Sequence, residues 1–363
     1  MFDKWQKKEK PMFSMLGLGG GNASRALGGV GDFSAVAIGH NSSPYLSVYK
    51  WNNGFGAKYS DPSSAHPGSS CRGVTFTSDN SYIIAASSNS PYINAWNWDN
   101  NTGFGSKVSN PSSLPIAGGR FVALNPSETF VAMAGENEGV QLYAWSGSGF
   151  GTKKSKPSNN SNADGLAWSP SGNHMAIASR NPSRLEVTYI DSSGNFGTER
   201  TVGTSGQCNE CAWSPTGNAV GAVHFGGDGQ NAYEWTGTSS SADFGSTYTQ
   251  PSGQTENAWS MTWNRAGNLV AVGHVNSPYV HIWPWTDASG FGSPFSDPST
   301  TPTGTILGME FSPDDGYICV AGGGTPYVHA YQVTSSAFGA KVSDPSTLPT
   351  GFGYAVKFSN VAS

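Results

Sequence analysis

Apolar residues in this chain come in short bursts, separated by clusters of Ser, Asn, Gly and Pro. That alternation of brief apolar runs with turn-forming residues is the pattern of strands joined by tight turns. One unit reads clearly. Residues 73–77 predict a short strand, 78–81 a turn, 82–87 a second strand, 92–98 a third and 104–109 a fourth, closed by Asn110-Pro111. Its latter half, PYINAWNWDNNTGFGSKVSNP at 91–111, is copied along almost the whole chain.

The kernel of the copy is a Phe-Gly pair. It stands at Phe55-Gly56, Phe104-Gly105, Phe150-Gly151, Phe196-Gly197, Phe244-Gly245, Phe291-Gly292 and Phe338-Gly339, at spacings of 46 to 49 residues. A period of that length, with four short strands in each copy, predicts a propeller. The opening strand of each copy ends on a bulky residue: Phe76, Leu124, Trp168, Trp213, Trp263, Phe311 and Phe358. The first copy starts in mid-unit, because residues 35–39 already match the second strand, 83–87, of the next. Its missing opening strand is residues 354–359, at the other end of the chain. The expected fold is therefore all-β: a seven-bladed β-propeller with four antiparallel strands per blade. A C-terminal strand joining the N-terminal strands closes the ring, so that no sheet edge is left open where the ends meet. Residues 1–30 read as a short irregular N-terminal tail and 31–363 as the propeller.

Alternation inside the opening strands puts Val74 and Phe76, Leu166 and Trp168, or Met261 and Trp263 on one face. Ala123, Ala167 and Ala212 fall on the other, so that large side chains meet small ones between stacked blades. Third strands end in Trp51, Trp98, Trp145, Trp235 and Trp285, read as packing. Six copies place Pro-Ser seven residues after the Phe, at Pro62, Pro111, Pro157, Pro251, Pro298 and Pro345, where proline would end an outermost strand. Blade four has Gly203 there.

Only 12% of the 363 residues are charged, the net charge is −5, and Gly numbers 48. No broad cationic surface for nucleic acid is present, and no apolar run long enough for a transmembrane segment occurs. Four cysteines are too few for a disulfide scaffold. Cys208 and Cys211 form a lone CxxC, three apart on a predicted strand, which points them to opposite faces and makes them packing residues.

Because the copies align, residues that differ at one position are the informative ones. Four places before each closing residue, at the mouth of the central channel, stand Arg72, Arg120, Asp164, Asn209, Trp259, Leu307 and Tyr354. Two arginines, a carboxylate and an aromatic arc are suited to an anionic or sugar-like ligand. His40 and His274 occupy matching places in blades one and six, near the top loops, with His224 close to the same level in blade five. Different blades do not bring such groups close enough for tetrahedral ligation, so no metal is expected. No nucleophile elbow, phosphate loop or paired carboxylate motif occurs, and neither a catalytic residue nor a cofactor is expected.

The blade pattern resembles the WD40-type propeller, with SPSG at 169–172, SPTG at 214–217 and one Trp98-Asp99 dipeptide. The Gly-His pair of that family is displaced: Gly39-His40 and Gly273-His274 come after the second strand, so its internal hydrogen-bonded arrangement does not carry over. The N-terminal KWQKKEKPMF, with Gly19 to Gly21 beyond it, resembles the anchor segments of some tailed-phage virion proteins. That resemblance implies docking to other virion proteins through Trp5, Lys7, Lys8, Met12, Phe13, Leu16 and Leu18. It also implies localisation to the phage particle and a propeller displayed toward a host glycan or surface protein. The expected function is accordingly a non-enzymatic virion module. A free intracellular WD40-like scaffold, binding peptides on its top face in the cytoplasm, is the alternative, and a polysaccharide-acting enzyme the third reading.

Overall fold

The computed structural model describes residues 34–62, 67–137, 139–154, 162–251 and 257–360. Residues 1–30, with the expected anchor side chains Trp5, Lys7, Lys8, Met12, Phe13, Leu16 and Leu18, lie outside them. Twenty-eight strands form seven four-stranded antiparallel sheets. Each inner strand touches the inner strands of both neighbouring blades, and the contacts close from the last blade to the first. The molecule is a seven-bladed β-propeller. No helix among the described residues is long and apolar enough to cross a membrane.

Blade one is completed across the termini. Gly353–Phe358 pairs with Ser34–His40, with Val36 opposite Phe358 and Ile38 opposite Val356. The chain then stitches itself onward: the Ala35 amide donates to Ser359 Oγ at 2.7 Å, and Asn80 and Asn100 each donate a side-chain amide to the Asn360 carbonyl. The closing strand thus ties blade one to blade two.

The Phe-Gly repeat has a direct physical cause. In the five blades whose third strand ends in Trp, the Phe ring meets that Trp edge to face at 5.1–5.2 Å: Trp51 with Phe55, Trp98 with Phe104, Trp145 with Phe150, Trp235 with Phe244, and Trp285 with Phe291. Pairs of this geometry add about 0.5–1.5 kcal/mol to the area they bury. The Gly after the Phe crosses the residue just before the Trp. A Cβ on Gly105 would sit 3.0 Å from Asn97 Cβ, and one on Gly245 2.9 Å from Glu234 Cβ. Phe supplies the ring and Gly lets the outer strand close on it.

Large meets small between blades, as the alternation implies. Ala123, Ala167 and Ala212 each pack into the cluster that holds the closing Trp of the next blade, namely Trp168, Trp213 and Trp263. Trp213 also donates its indole N–H to the Ala167 carbonyl at 3.1 Å.

Two local expectations are corrected. The outer strands stop before the Pro-Ser: that of blade one is Phe55–Lys58, and Pro62, Pro111, Pro298 and Pro345 lie buried in the connections between blades. Proline here packs a crossing and does not cap a sheet edge. Cys208 and Cys211 do not face opposite ways. A register shift between Cys208 and Glu210 inserts one residue, so both thiols fall in the same buried cluster, unpaired as disulfides. Three residues spanning a bulge return to the same face.

Candidate functional site at the channel mouth

Every inner strand carries the same defect near its start. Cys71 lies opposite Ser87 and Gly73 opposite Ala86, so Arg72 is an extra, unpaired residue. The same shift isolates Arg120, Asp164, Asn209, Trp259, Leu307 and Tyr354. A bulge re-aims the side chain of its extra residue. Here seven bulges line one cavity at the axis, of about 770 Å³. The seven aligned positions of the sequence are thus brought together.

The residue immediately after each bulge sets the next level of the wall. Gly73, Gly165 and Gly308 sit where neighbouring inner strands nearly touch: a Cβ on Gly73 would lie 2.8 Å from Phe121 Cα, and one on Gly165 2.8 Å from Glu210 Cα. The glycine of one blade leaves room for the larger residue of the next. Phe121 and Glu210 are the large residues at this level, and both line the cavity. Glu210 is reached from the channel and enclosed by protein elsewhere. Burial pushes its carboxyl well above the ordinary carboxylate range, against a backbone hydrogen bond from Met261 that favours the ionised form.

A second ring lies just above the bulges, formed by the residue that ends or directly follows each second strand. It reads Asn41, Ser88, Glu136, Arg180, Phe225, Val275 and Gly323. Glu136, Arg180 and Phe225, from blades three, four and five, are missed by a comparison confined to the opening strands. Their signal was available, since they are the large side chains at a position otherwise held by smaller ones.

The two rings interlock on one side. Asp164 faces Arg120 Nε at 3.2 Å and also contacts the Arg180 guanidinium, while Arg120 Nη2 donates to Glu136 at 2.6 Å. Burial raises the Asp164 pKa and the two guanidiniums oppose that shift. Arg180 continues over the Trp259 ring at 5.9 Å, and Phe225 meets Trp259 at 6.0 Å. Arg72 differs: it stacks over Tyr354 at 5.0 Å and has no carboxylate partner among the described residues. Asn209 turns away, donating its side-chain amide to the Ala258 carbonyl at 2.9 Å, and seals the seam between blades five and six. Deeper in the channel Glu310 pairs with Lys357.

His40 and His274 are not loop groups. Both are fully buried at the ends of second strands, His40 Nε2 at 3.0 Å from Ser47 Oγ and His274 packed edge to face on His281. Desolvation lowers their pKa values to about 4 and about 3. His224 Nε2 lies 2.6 Å from Asn231 Oδ1. Among the described residues no three His, Cys, Asp or Glu side chains gather as a metal site.

No protein-family model and no curated sequence matches the chain. Solved structures do. A Bacteroides fragilis protein provisionally named a 6-phosphogluconolactonase superposes with a TM-score of 0.70 at 12% identity, covering 91% of this chain and 98% of its own. A periplasmic gluconolactonase from Pseudomonas aeruginosa gives 0.69 at 13% identity, covering 91% and 99%. A functionally unknown protein from Desulfotomaculum acetoxidans gives 0.66 at 14%, covering 91% and 99%. At such identities the likeness is one of fold.

These neighbours overturn the expectation of a non-enzymatic virion module, because those with a named activity are lactonases. That expectation rests on residues 1–21 and a weakly charged composition, neither of which bears on the channel. It also takes the mouth without Arg180 and Glu210.

Proposed function

We propose that the channel mouth binds a sugar-acid lactone and opens it by hydrolysis. The observation that carries this reading is Glu210, a channel-facing carboxyl with a raised pKa, lining the same cavity as Arg72, Arg120 and Arg180. A carboxyl tuned upward by burial is a general base of useful strength near neutral pH. The names of the gluconolactonase-like neighbours agree with that chemistry.

In this reading the ionised Glu210 takes a proton from a water molecule whose oxygen adds to the lactone carbonyl. Negative charge gathers on the carbonyl oxygen, where a guanidinium stabilises it; a well-placed donor of this kind contributes about 3–4 kcal/mol. The ring C–O bond then breaks and the proton passes from Glu210 to the released hydroxyl. The product is a hydroxy acid, whose carboxylate suits the uncommitted, stacked fork of Arg72. Trp259 and Tyr354 add aromatic surface to the cavity wall beside it.

The test is hydrolysis of gluconolactone and its 6-phosphate, measured above spontaneous opening, with wild type and Glu210→Gln. Turnover by wild type, lost in the variant while the fold is retained, is expected. A folded wild-type protein that neither hydrolyses these lactones nor binds gluconate overturns the proposal.

A further inference from the structure

Phe225 is left over by this chemistry. It is 42% exposed, a large aromatic ring standing outside the mouth at the end of the second strand of blade five, Ala219–Phe225. The equivalent place in the other blades is held by Asn41, Ser88, Glu136, Arg180, Val275 or Gly323, so the repeat does not call for a ring there. Burying it would release apolar surface from water, yet the fold leaves it in solvent against Trp259 at 6.0 Å and an interplanar angle of 57°. Trp259 is itself shared: Arg180 covers it from within the mouth and Phe225 abuts it from without. The two rings form a continuous aromatic path from the cavity to the rim.

We infer that Phe225 and Trp259 form a second sugar subsite, and that the ligand is an aldonic acid or lactone carrying a further sugar ring. The inference rests on the reading of the mouth as a sugar-acid site. The acid or lactone ring occupies the cavity, within reach of the arginines and Glu210, and the glycosidically linked ring leaves it along Trp259 to lie on Phe225. A cavity of about 770 Å³ exceeds what one six-membered ring fills, and sugar rings present C–H faces that pack on aromatic planes. Phe225 lies outside the acid-binding groups, so it discriminates by ligand length and not by charge.

The experiment compares binding of gluconate and of cellobionate by calorimetry, for wild type, Phe225→Ala and Phe225→Trp. Wild type is expected to bind cellobionate about tenfold more tightly, the scale of one aromatic packing contact. Phe225→Ala is expected to erase that preference and leave gluconate binding unchanged; Phe225→Trp keeps the preference. Equal wild-type affinities overturn the second subsite and leave the sugar-acid reading standing. A preference that survives Phe225→Ala overturns the assignment to Phe225. Failure of both acids to bind overturns the subsite, and together with absent lactone hydrolysis it overturns the sugar-acid reading.

Discussion

The two halves of the ring are built by different rules. Blades six, seven, one and two turn from second to third strand through a repeated Pro-Tyr, in which Tyr279, Tyr327, Tyr45 and Tyr92 adopt φ of 66–69°. A left-handed backbone is unfavourable for a bulky residue, and three of these rings are held by packing into blade-interface clusters. Blades three, four and five drop the Pro-Tyr. At the neighbouring position they place Glu136, Arg180 and Phe225, and blade four replaces the Pro-Ser connection with an eight-residue outer strand, Phe196–Gly203. The regular half enters the mouth through bulge residues, chiefly Arg72, Trp259 and Tyr354, while the divergent half supplies a second tier and Glu210. Repetition holds the ring, and chemistry collects where repetition lapses.

The sharpest way to break that division is Glu210→Gln. If the divergent half carries the reaction, lactone turnover falls roughly 10²- to 10⁴-fold, the usual contribution of a general base. Stability should move the other way. A carboxyl whose pKa is raised by folding leaves stability intact below its unfolded value of 4.5. As pH rises, the unfolded chain releases that proton first and stability falls. The amide cannot ionise. Glu210→Gln should therefore melt with wild type near pH 4 and above it at pH 8, and equal melting curves at both would remove the burial argument.

The regular half predicts the reverse profile. Trp98 is buried against Phe76 and Phe104 and is not among the residues that line the cavity. Trp98→Ala is expected to cost about 3–5 kcal/mol of stability in denaturant unfolding, with kcat of the surviving folded fraction unchanged. A variant that folds well but turns over poorly would show that the blade interfaces reach the site.

Arg72 joins the halves, since it comes from a regular blade yet faces the cavity. Arg72→Ala should raise KM by a factor corresponding to about 1.5–3 kcal/mol, the scale of a hydrogen bond to a charged group. Arg72→Lys should recover little, because an ammonium cannot stack on Tyr354 as a guanidinium does. Full recovery by Lys would reduce the role of Arg72 to a point charge.

The architecture was legible in the sequence because its determinants are local and repeated. Seven Phe-Gly pairs and seven closing residues agree with the observed ring, including the strand lent by the C-terminus. The bulge ring was legible as an aligned column, though not as bulges, since an inserted residue leaves no mark on spacing when every copy contains it. That same invisibility misdirected Cys208 and Cys211. Glu210 stood in its own column against Gly73, Gly165 and Gly308, a contrast that becomes meaningful once inner strands are known to nearly touch. The burial of His40 and His274 could not be read from sequence, because a Gly-His pair after a strand looks like a turn until the third strand is laid over it. The lactonase neighbours left no legible motif, and residues that converge from separate blades have no fixed spacing to detect.

Buried histidines separate the halves by degree: His174 of blade four is buried and its pKa lowered too, while the largest shifts fall in the regular half. His40, His274 and His329 are buried in blades one, six and seven, all in the regular half, with pKa values lowered from 6.5 to about 4, about 3 and about 4. Desolvation is the main cause in each, aided at His40 by Lys58 and at His329 by Lys341. For a base with a depressed folded pKa, stability is complete above 6.5 and is lost as pH falls, because the unfolded chain takes up protons that the folded one refuses. At pH 5 a shift from 6.5 to about 4 corresponds to about 2 kcal/mol for His40. His40→Gln, able to keep a hydrogen bond to Ser47, should lose about that much less stability than wild type between pH 7 and pH 5. Hydrogen exchange at pH 5 should open the second strands of blades one and six before that of blade three, Phe130–Gly135, which carries no histidine. Uniform loss of protection around the ring would mean that the halves share one cooperative unit, and that their difference is one of chemistry alone.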